Sequence, residues 1–281
     1  MDFPKNIIWL ASYPKSGNTW FRVFLTNLLR DCDEPADIND LERTPIASAR
    51  NLFDDLAGVP ASDLSFDEID SLRPDVYMKI AQDAKEPVYQ KVHDAYIYIP
   101  HGRPLIPPEA TRCAVYFVRN PLDVAVSFAH HTALSYDAMI KAMVNPDYSF
   151  CSKPGRLHNQ LRQKLLSWSG HIRSWTEQND FPVHIMKYED MLADTFSVFK
   201  DAVHFIGLEK SDEQIRKAIR FSSFEELKKQ EEQEGFNEKA PNAESFFRKG
   251  ISGSWKEELT AQQIGQIVRD HGEMMERYGY L

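Results

Sequence analysis

Four short apolar runs punctuate the chain: "NIIWLAS" at 6–12, "PVYQKVH" at 87–93, "CAVYFV" at 113–118 and "PVHIMKY" at 182–188. They are rich in Val, Ile, Tyr and Phe, and several are almost continuously apolar. That pattern predicts strands of a parallel sheet covered on both faces, because strands with one wet face alternate instead. Between the runs the period becomes helical. Residues 19–29 put Trp20, Val23, Phe24 and Leu28 on one stripe, and a second helical pattern, 123–131, follows the third run. Leu161, Leu165, Trp168, Ile172 and Trp175 recur at helical intervals and predict an amphipathic helix over 160–177. Further helices are predicted near 195–206, from the capping-box signal "SDEQ" at 211–214, and over 260–277. The alternation predicts an α/β fold: a single domain over 1–281 whose central, mainly parallel sheet is flanked by helices.

Three segments fit this scheme less well. Residues 31–85 carry scattered acidic and turn residues with weak helical signals such as "SFDEIDSL". Residues 132–158 and 228–248 are polar, and "KKQEEQEGFNEKAPNAE" approaches low complexity. Loops and exposed helices are the main reading of 31–85, and 31–85 and 132–158 are also the candidates to shape an acceptor pocket. For 132–158 and 228–248, a role as lids over a site at the sheet's carboxyl edge stands beside that plainer reading.

Composition narrows the functional classes. A chain of 281 residues with 42% apolar content is an ordinary globular protein. No apolar run approaches the ~18 residues of a membrane helix. The start, "MDFPKNIIWLASYPK", is acidic and lacks a small-residue cleavage site, so it reads as the first core strand and not as a signal peptide. Cys32, Cys113 and Cys151 are odd in number and far apart, which implies neither a disulfide framework nor a zinc site and points to a reducing cytoplasm. The net charge of −9 argues against nucleic acid as a partner. Any anion site has to be built locally against that field.

Ligands of open parallel sheets bind beyond the carboxyl ends of the strands. After the first run comes "SYPKSGNTW"; the second delivers Lys91 and His93; the third leads to Arg119 and, eight residues on, Ser127; the fourth ends in "KYED" with Tyr188. All four strands thus bring polar or cationic groups to one edge. In the first loop Gly17 permits close backbone approach. The amides of Ser16, Gly17, Asn18 and Thr19 would open a helix, where unpaired N–H groups favour an anion. The same stretch also suits an ordinary helix cap. Lys15 precedes the glycine, unlike the lysine of G-x-x-x-x-G-K-[ST]. It would sit at the rim of the cradle, within reach of a group carried by the phosphate.

"YPKSGNTW", "YFVRNPLDVAVS" and "FFRKGISGSWKEELT" together resemble the cytosolic-type sulfotransferases that use 3′-phosphoadenosine 5′-phosphosulfate (PAPS). The three segments occur in family order between Ile7 and Lys256. The resemblance implies a P-loop-containing nucleotide-binding fold. It implies that the first segment is the 5′-phosphosulfate loop, with Lys15 on the oxygen bridging phosphate and sulfur. A cation there stabilises charge on the departing phosphate. Arg119 and Ser127 match the pair that binds the 3′-phosphate, and Arg248, Lys249 and the amide of Gly250 match the segment that closes over it. Two arginines and a lysine suit a dianion. Trp20 and Phe224 match the aromatics that sandwich the adenine, although core packing alone also accounts for both. Tyr188 and Ser222 match groups beside the base.

Lys91 and His93 match the family's K-x-H, with His93 as general base and Lys91 helping to stabilise the transition state. A histidine of near-neutral pKa is suited to take a hydroxyl proton, worth roughly 10²–10⁴-fold. The implied reaction is in-line transfer of the sulfuryl group to a hydroxyl of a small molecule, lipid or secondary metabolite, with an amine acceptor left open. The by-product is adenosine 3′,5′-bisphosphate (PAP). His130 and His131 diverge around a helix, and no metal-ligand spacing is present, so no metal is expected. The family's dimerisation pattern K-x-x-x-T-V-x-x-x-E is only half matched: Lys256 and Thr260 agree, Ala261 and Gly265 do not. The oligomeric state stays open. Two rival readings are a P-loop kinase or hydrolase and a non-catalytic PAP-binding protein. The first needs a G-K-[ST] loop and an acidic magnesium ligand, for which Glu189 and Asp190 are better explained as helix-start acids. The second predicts loss of Lys15 or of the base, and both are present.

Overall fold

A computed structural model describes residues 4–153, 155–240 and 243–281. Residues 1–3, position 154 within the 132–158 segment and positions 241–242 within 228–248 lie outside the described residues. The strands are β1 (Ile7–Ser12), β2 (Val88–Val92), β3 (Thr111–Val118), β4 (Ser149–Phe150), β5 (Gln163–Lys164) and β6 (Val183–Lys187). The helices are α1 (Asn18–Arg30), α2 (Arg50–Ala57), α3 (Phe66–Asp83), α4 (Pro121–Thr132), α5 (Tyr136–Val144) and α6 (Trp168–Thr176). They continue with α7 (Tyr188–Ala193), α8 (Thr195–Phe205), α9 (Asp212–Phe221), α10 (Phe224–Glu234), α11 (Trp255–Glu258) and α12 (Ala261–Arg277). The fold is α/β, with a four-stranded sheet in the order β2-β1-β3-β6 and helices between the strands. All six residues of β1 are buried, as a continuous apolar run requires, and β1 pairs with β2 in parallel from Ile7–Val88 to Ala11–Val92. Each of the four predicted strands is present within two residues of its expected start.

The chain divides into two compact units. The first comprises Met1–Tyr13, Thr44–Tyr116 and Pro146–Ile185 and holds most of the sheet. Its core includes Trp9, whose indole N–H donates to Thr111 Oγ1 at 2.9 Å and whose ring meets Tyr77 edge-on. Beside this apolar packing lies a buried ion pair. Arg73 grips Asp94 with two hydrogen bonds of 3.1 and 2.6 Å, and each side chain is only 1% exposed. Arg73 also donates to Tyr77 Oη and to the Arg162 carbonyl, and Asp94 Oδ1 accepts from Lys164 N. Such a pair is retained only when its remaining donors and acceptors are answered, as they are here. Arg73 comes from α3, which opens with a capping box between Ser65 and Glu68 and runs through Pro74. The weak helical signal within 31–85 is therefore an 18-residue helix.

The helix expected over 160–177 is shorter. Only Trp168–Thr176 is helical, starting from Ser167, whose hydroxyl accepts from Gly170 N. Leu161 and Leu165 are buried as expected, but on extended chain. Gln163 and Lys164 pair antiparallel with Phe150 and Ser149, and Leu166 takes a left-handed φ of 59°. Tertiary pairing outweighs a helical period that rests on only two apolar residues in its first half.

The second unit comprises Pro14–Arg43, Phe117–Asn145 and Met186–Leu281. Phe21, Phe24 and Phe199 pack ring against ring in its core, so α1 is buried well beyond the single stripe read from its sequence. The capping signal at 211–214 opens α9, where Ser211 and Gln214 bond reciprocally, and Thr260 with Gln263 does the same for α12.

Two outcomes test this account of the first unit. Asp94→Ala strips Arg73 of its two-bond partner and leaves it in the core with only the longer, 3.5 Å pair to Asp70; it is expected to cost about 3–5 kcal/mol in urea unfolding, and a loss below about 1 kcal/mol would contradict the pair's role. Burial pushes the His171 imidazole from 6.5 down to about 3, with a bond to the His93 carbonyl opposing the shift. The unfolded chain binds this proton below about pH 6.5 while the folded one refuses it until about pH 3. Its contribution is therefore complete above pH 6.5 and drains as the pH falls through that window. His171→Gln should flatten the fall of unfolding free energy over pH 6.5–4 relative to wild type, and parallel curves would argue against a buried neutral imidazole.

Candidate active site

The loop between β1 and α1 begins with the second unit. Gly17 has φ 101° and serves as the N-cap of α1, with no side-chain cap. Gly17 gives this 13-residue helix no side-chain cap, and a helix start of this kind suits an anion. A Cβ at Gly17 would lie 2.8 Å from Tyr188 Cδ2, so glycine is required by space as well as by φ. Lys15 also takes a left-handed φ, 70°, which is uncommon for a residue with a side chain and marks stored strain. Its ammonium lies 3.9 Å above the Phe246 ring. Ser16 is buried and its hydroxyl has no hydrogen-bond partner. Asn18 is buried and Thr19 is half-buried at the first turn.

Arg119 follows β3 and gathers three segments. Its guanidinium donates to the Lys15 carbonyl and to the Ile251 carbonyl, both at 3.1 Å, and lies 4.2 Å over the Tyr188 ring. Its Nε is buried without a partner. Burial raises the Tyr188 hydroxyl above its usual range, with Arg119 opposing. Four residues later Asp123, 1% exposed, accepts from Gly253 N at 2.7 Å, Trp255 N at 3.3 Å and the hydroxyls of Ser252 and Ser254 at 3.2 Å. This carboxylate clamps the segment that follows Gly250. Ser127 is half-buried further along α4.

Gly250 has φ 65°, and a Cβ there would come within 2.3 Å of Phe224 Cδ2, so its backbone lies against that ring. Trp20 meets Tyr188 and Phe199, and its indole nitrogen is buried without a partner. Trp20 and Phe224 are both partly buried against one cluster of Val23, Ile38, Leu41, Leu227, Phe236 and Phe247. Ser222 ends α9 with its hydroxyl donating to Ala218 O. Arg248 and Lys249 both bond Glu258, at 2.8 and 2.9 Å. Burial works to raise the Glu258 carboxyl, but hydrogen bonds from Arg248, Lys249, Tyr136 and His130 hold it far below the usual carboxylate range.

Lys91 and His93 belong to the first unit. Lys91 is a buried residue of β2, and His93 is half-buried one position past its end. His93 Nδ1 lies 2.9 Å from the Ser12 carbonyl and 3.3 Å from its hydroxyl. A carbonyl only accepts, so Nδ1 carries the proton and Nε2 holds the lone pair. That is the tautomer a general base needs.

The second unit thus brings together Lys15, Gly17, Arg119 and Tyr188, and separately Gly250 with Phe224 and Arg248 with Lys249. The buried, unpartnered Ser16 hydroxyl and Arg119 Nε, together with the uncapped α1 start, fit an anionic nucleotide. Among the described residues no three His, Cys, Asp or Glu side chains are grouped to hold a metal. Glu189 and Asp190 fall in the first turn of α7, and Glu189 accepts from Asn120 N and Tyr280 Oη, in keeping with helix-start acids. Sequence reasoning passed over Asp123 and Glu258. The spacing of Asp123 just inside a Pro-started helix was its only signal, and Glu258 had none.

Comparison with known proteins bears on the family and the fold. The family model described as "Sulfotransferase domain" matches residues 5–279. Sulfotransferase 1A1 of Canis lupus familiaris is 26% identical over 96% of this chain and 83% of its own length. Sulfotransferase 1E1 of Homo sapiens is 26% identical over 95% and 82%. Among solved structures, mouse sulfotransferase SULT7A1 complexed with PAP aligns over 98% of this chain and 86% of that one, with TM-score 0.59 and 21% identity. Retinol dehydratase in complex with retinol and PAP aligns over 97% and 82%, with TM-score 0.64 and 19% identity. With the match running nearly end to end, the chain belongs to the sulfotransferase domain family.

Proposed function

We propose that this sulfotransferase uses PAPS and transfers its sulfuryl group, in line, to a hydroxyl of a small-molecule, lipid or secondary-metabolite acceptor. The observation that carries the reading is the uncapped start of α1 flanked by Lys15 and tied to Arg119. Solved relatives in this fold are described with PAP bound, which supports the same nucleotide here. Three free cysteines and no helix among the described residues long and apolar enough to cross a membrane support a cytoplasmic setting.

PAPS, when bound, supplies the sulfuryl group. The α1 amides, Ser16, Gly17, Asn18 and Thr19 would hold its 5′ end. Arg119, Ser127 and the Arg248–Lys249–Gly250 segment would hold its 3′-phosphate. Trp20, Tyr188, Ser222 and Phe224 would line its base. Lys15 offers a cation for charge building on the leaving oxygen, and Lys91 supports the same charge. His93, with Nδ1–H held by the Ser12 carbonyl, takes the acceptor proton at Nε2. The 228–248 segment acts as a lid, a role favoured by the contact of Phe246 with Lys15. No residue in this scheme requires a metal.

Two measurements test the scheme. Calorimetry is expected to give tight binding of PAP, with ADP and ATP much weaker. Arg119→Ala should weaken PAP far more than the 3′-dephosphorylated nucleotide; equal weakening of both would remove Arg119 from the 3′-phosphate. His93→Ala should keep PAP affinity and lower kcat by roughly 10²–10⁴-fold in an acceptor screen with labelled PAPS. Undiminished turnover would remove His93 as the base.

A further inference from the structure

Behind the proposed base lies a second histidine that the mechanism does not use. His171 is fully buried on α6, in the first unit with His93. Its Nε2 is 3.1 Å from the His93 carbonyl, and its Nδ1 is 2.8 Å from the Tyr116 hydroxyl. The carbonyl can only accept, so Nε2 carries the proton. Nδ1 is then the acceptor, and the Tyr116 O–H donates to it. One neutral ring with a donor at one end and an acceptor at the other satisfies both neighbours. Tyr13 packs edge-on against the ring at 5.5 Å, and Tyr116 covers it at 5.7 Å.

His171 does not act alone. Trp175, one turn later, donates its indole N–H to the Asp94 carbonyl at 3.0 Å. Ser174 Oγ accepts from Tyr96 N at 3.0 Å, and Ala95 N donates to the Lys164 carbonyl at 2.8 Å. Every residue from His93 to Tyr96 therefore has a backbone group fixed by α6 or the strand just before it. The Asp94 side chain is locked by Arg73. Ser12 holds the His93 ring and His171 holds its main chain, so the imidazole is fixed from both ends.

We infer that His171 is a positioning residue for catalysis: its neutral ring, oriented by Tyr116, holds the His93 backbone so that Nε2 faces the acceptor. The inference rests on the reading of His93 as base. A carbonyl released from His171 frees the backbone dihedrals at His93 and lets the base drift. Misplacement by about 1 Å costs on the order of 10²-fold in rate. An apolar residue of similar volume leaves the His93 carbonyl and the Tyr116 hydroxyl unanswered, whereas glutamine restores a donor and an acceptor.

The test compares full-length wild type, His171→Leu, His171→Gln and Tyr116→Phe, each checked for cooperative thermal unfolding. Readouts are kcat, acceptor KM, PAP affinity by calorimetry, and the imidazole carbon–proton NMR signal of His93, assigned by its loss in His93→Ala. His171→Leu should lower kcat roughly 10–100-fold with acceptor KM and PAP affinity little changed, and should move the His93 signal toward that of a free histidine. His171→Gln should recover most of the rate, and Tyr116→Phe should show a smaller loss of the same kind. A folded His171→Leu with wild-type kcat and an unmoved His93 signal would overturn the inference. So would His171→Gln losing as much as His171→Leu, because the hydrogen bond would then not be the cause. Should His171→Leu fail to fold, His171→Gln and Tyr116→Phe decide between the same outcomes. If His93→Ala retains turnover, the base reading falls, while the His93 signal in the His171 variants still reports whether His171 orders that residue.

Discussion

A charge withdrawn from water has to be answered by the protein, and each unit of this chain is arranged around that demand. In the first, Arg73 and Asp94 answer one another, and the surrounding carbonyls, hydroxyl and amide satisfy what remains. Asp94 is the neighbour of His93, so the ion pair anchors the turn that carries the proposed base. In the second, Asp123 is answered by donors drawn from four consecutive residues, Ser252 to Trp255, and Arg119 by carbonyls of Lys15 and Ile251. Both fall within five residues of one another on the chain leaving β3. The loop after β1 and the segment after Gly250 are thereby tied to the same short stretch. Removing either charge would loosen that backbone.

Much of this architecture was legible in the sequence because it follows from local rules. Apolar runs marked β1, β2, β3 and β6 within a residue or two; β1 and β3 are almost wholly buried, whereas β6 lies at the sheet edge with Ile185 exposed. Ser211 with Gln214 marked a helix start because its partners are three residues apart. Lys15, Gly17 and Arg119 could be singled out from their places after strands. The false helical start at 160 had a different origin. Leu161 and Leu165 are apolar because they are buried, but the chain there is held extended by pairing with β4 and by Arg73 on the Arg162 carbonyl. Period alone cannot distinguish two buried residues on a strand from two on a helix.

The partners that give the site its order were hidden for one reason: they are distant in sequence. Asp123 meets residues about 130 positions later, and His171 meets Tyr116 and His93 at separations of 55 and 78. Nothing in the local spacing of either residue announces the contact. The tautomer of His93 was equally invisible, because it is set by a carbonyl of Ser12, and every residue has one. Chemistry-bearing side chains were therefore readable one by one, whereas the groups that orient them emerge only once the chain is folded. Sequence identities near 26% to named sulfotransferases are compatible with this division.

Glu258 bonds Arg248 and Lys249 together, with Tyr136 and His130 completing its shell. The two cations thus already share an internal anion, which offsets one of their two charges. Under the proposed function, a phosphate arriving at them would take part in an exchange and not in a simple capture: its gain would be the difference between a mobile dianion and a tethered carboxylate. The same tether works in the other direction. When the phosphate departs, the cations are not left bare, because their replacement counter-ion is covalently attached ten and nine residues away. A lower resting affinity would then be coupled to a lower barrier for letting go. In a turnover cycle limited by product departure, that combination favours speed over tightness.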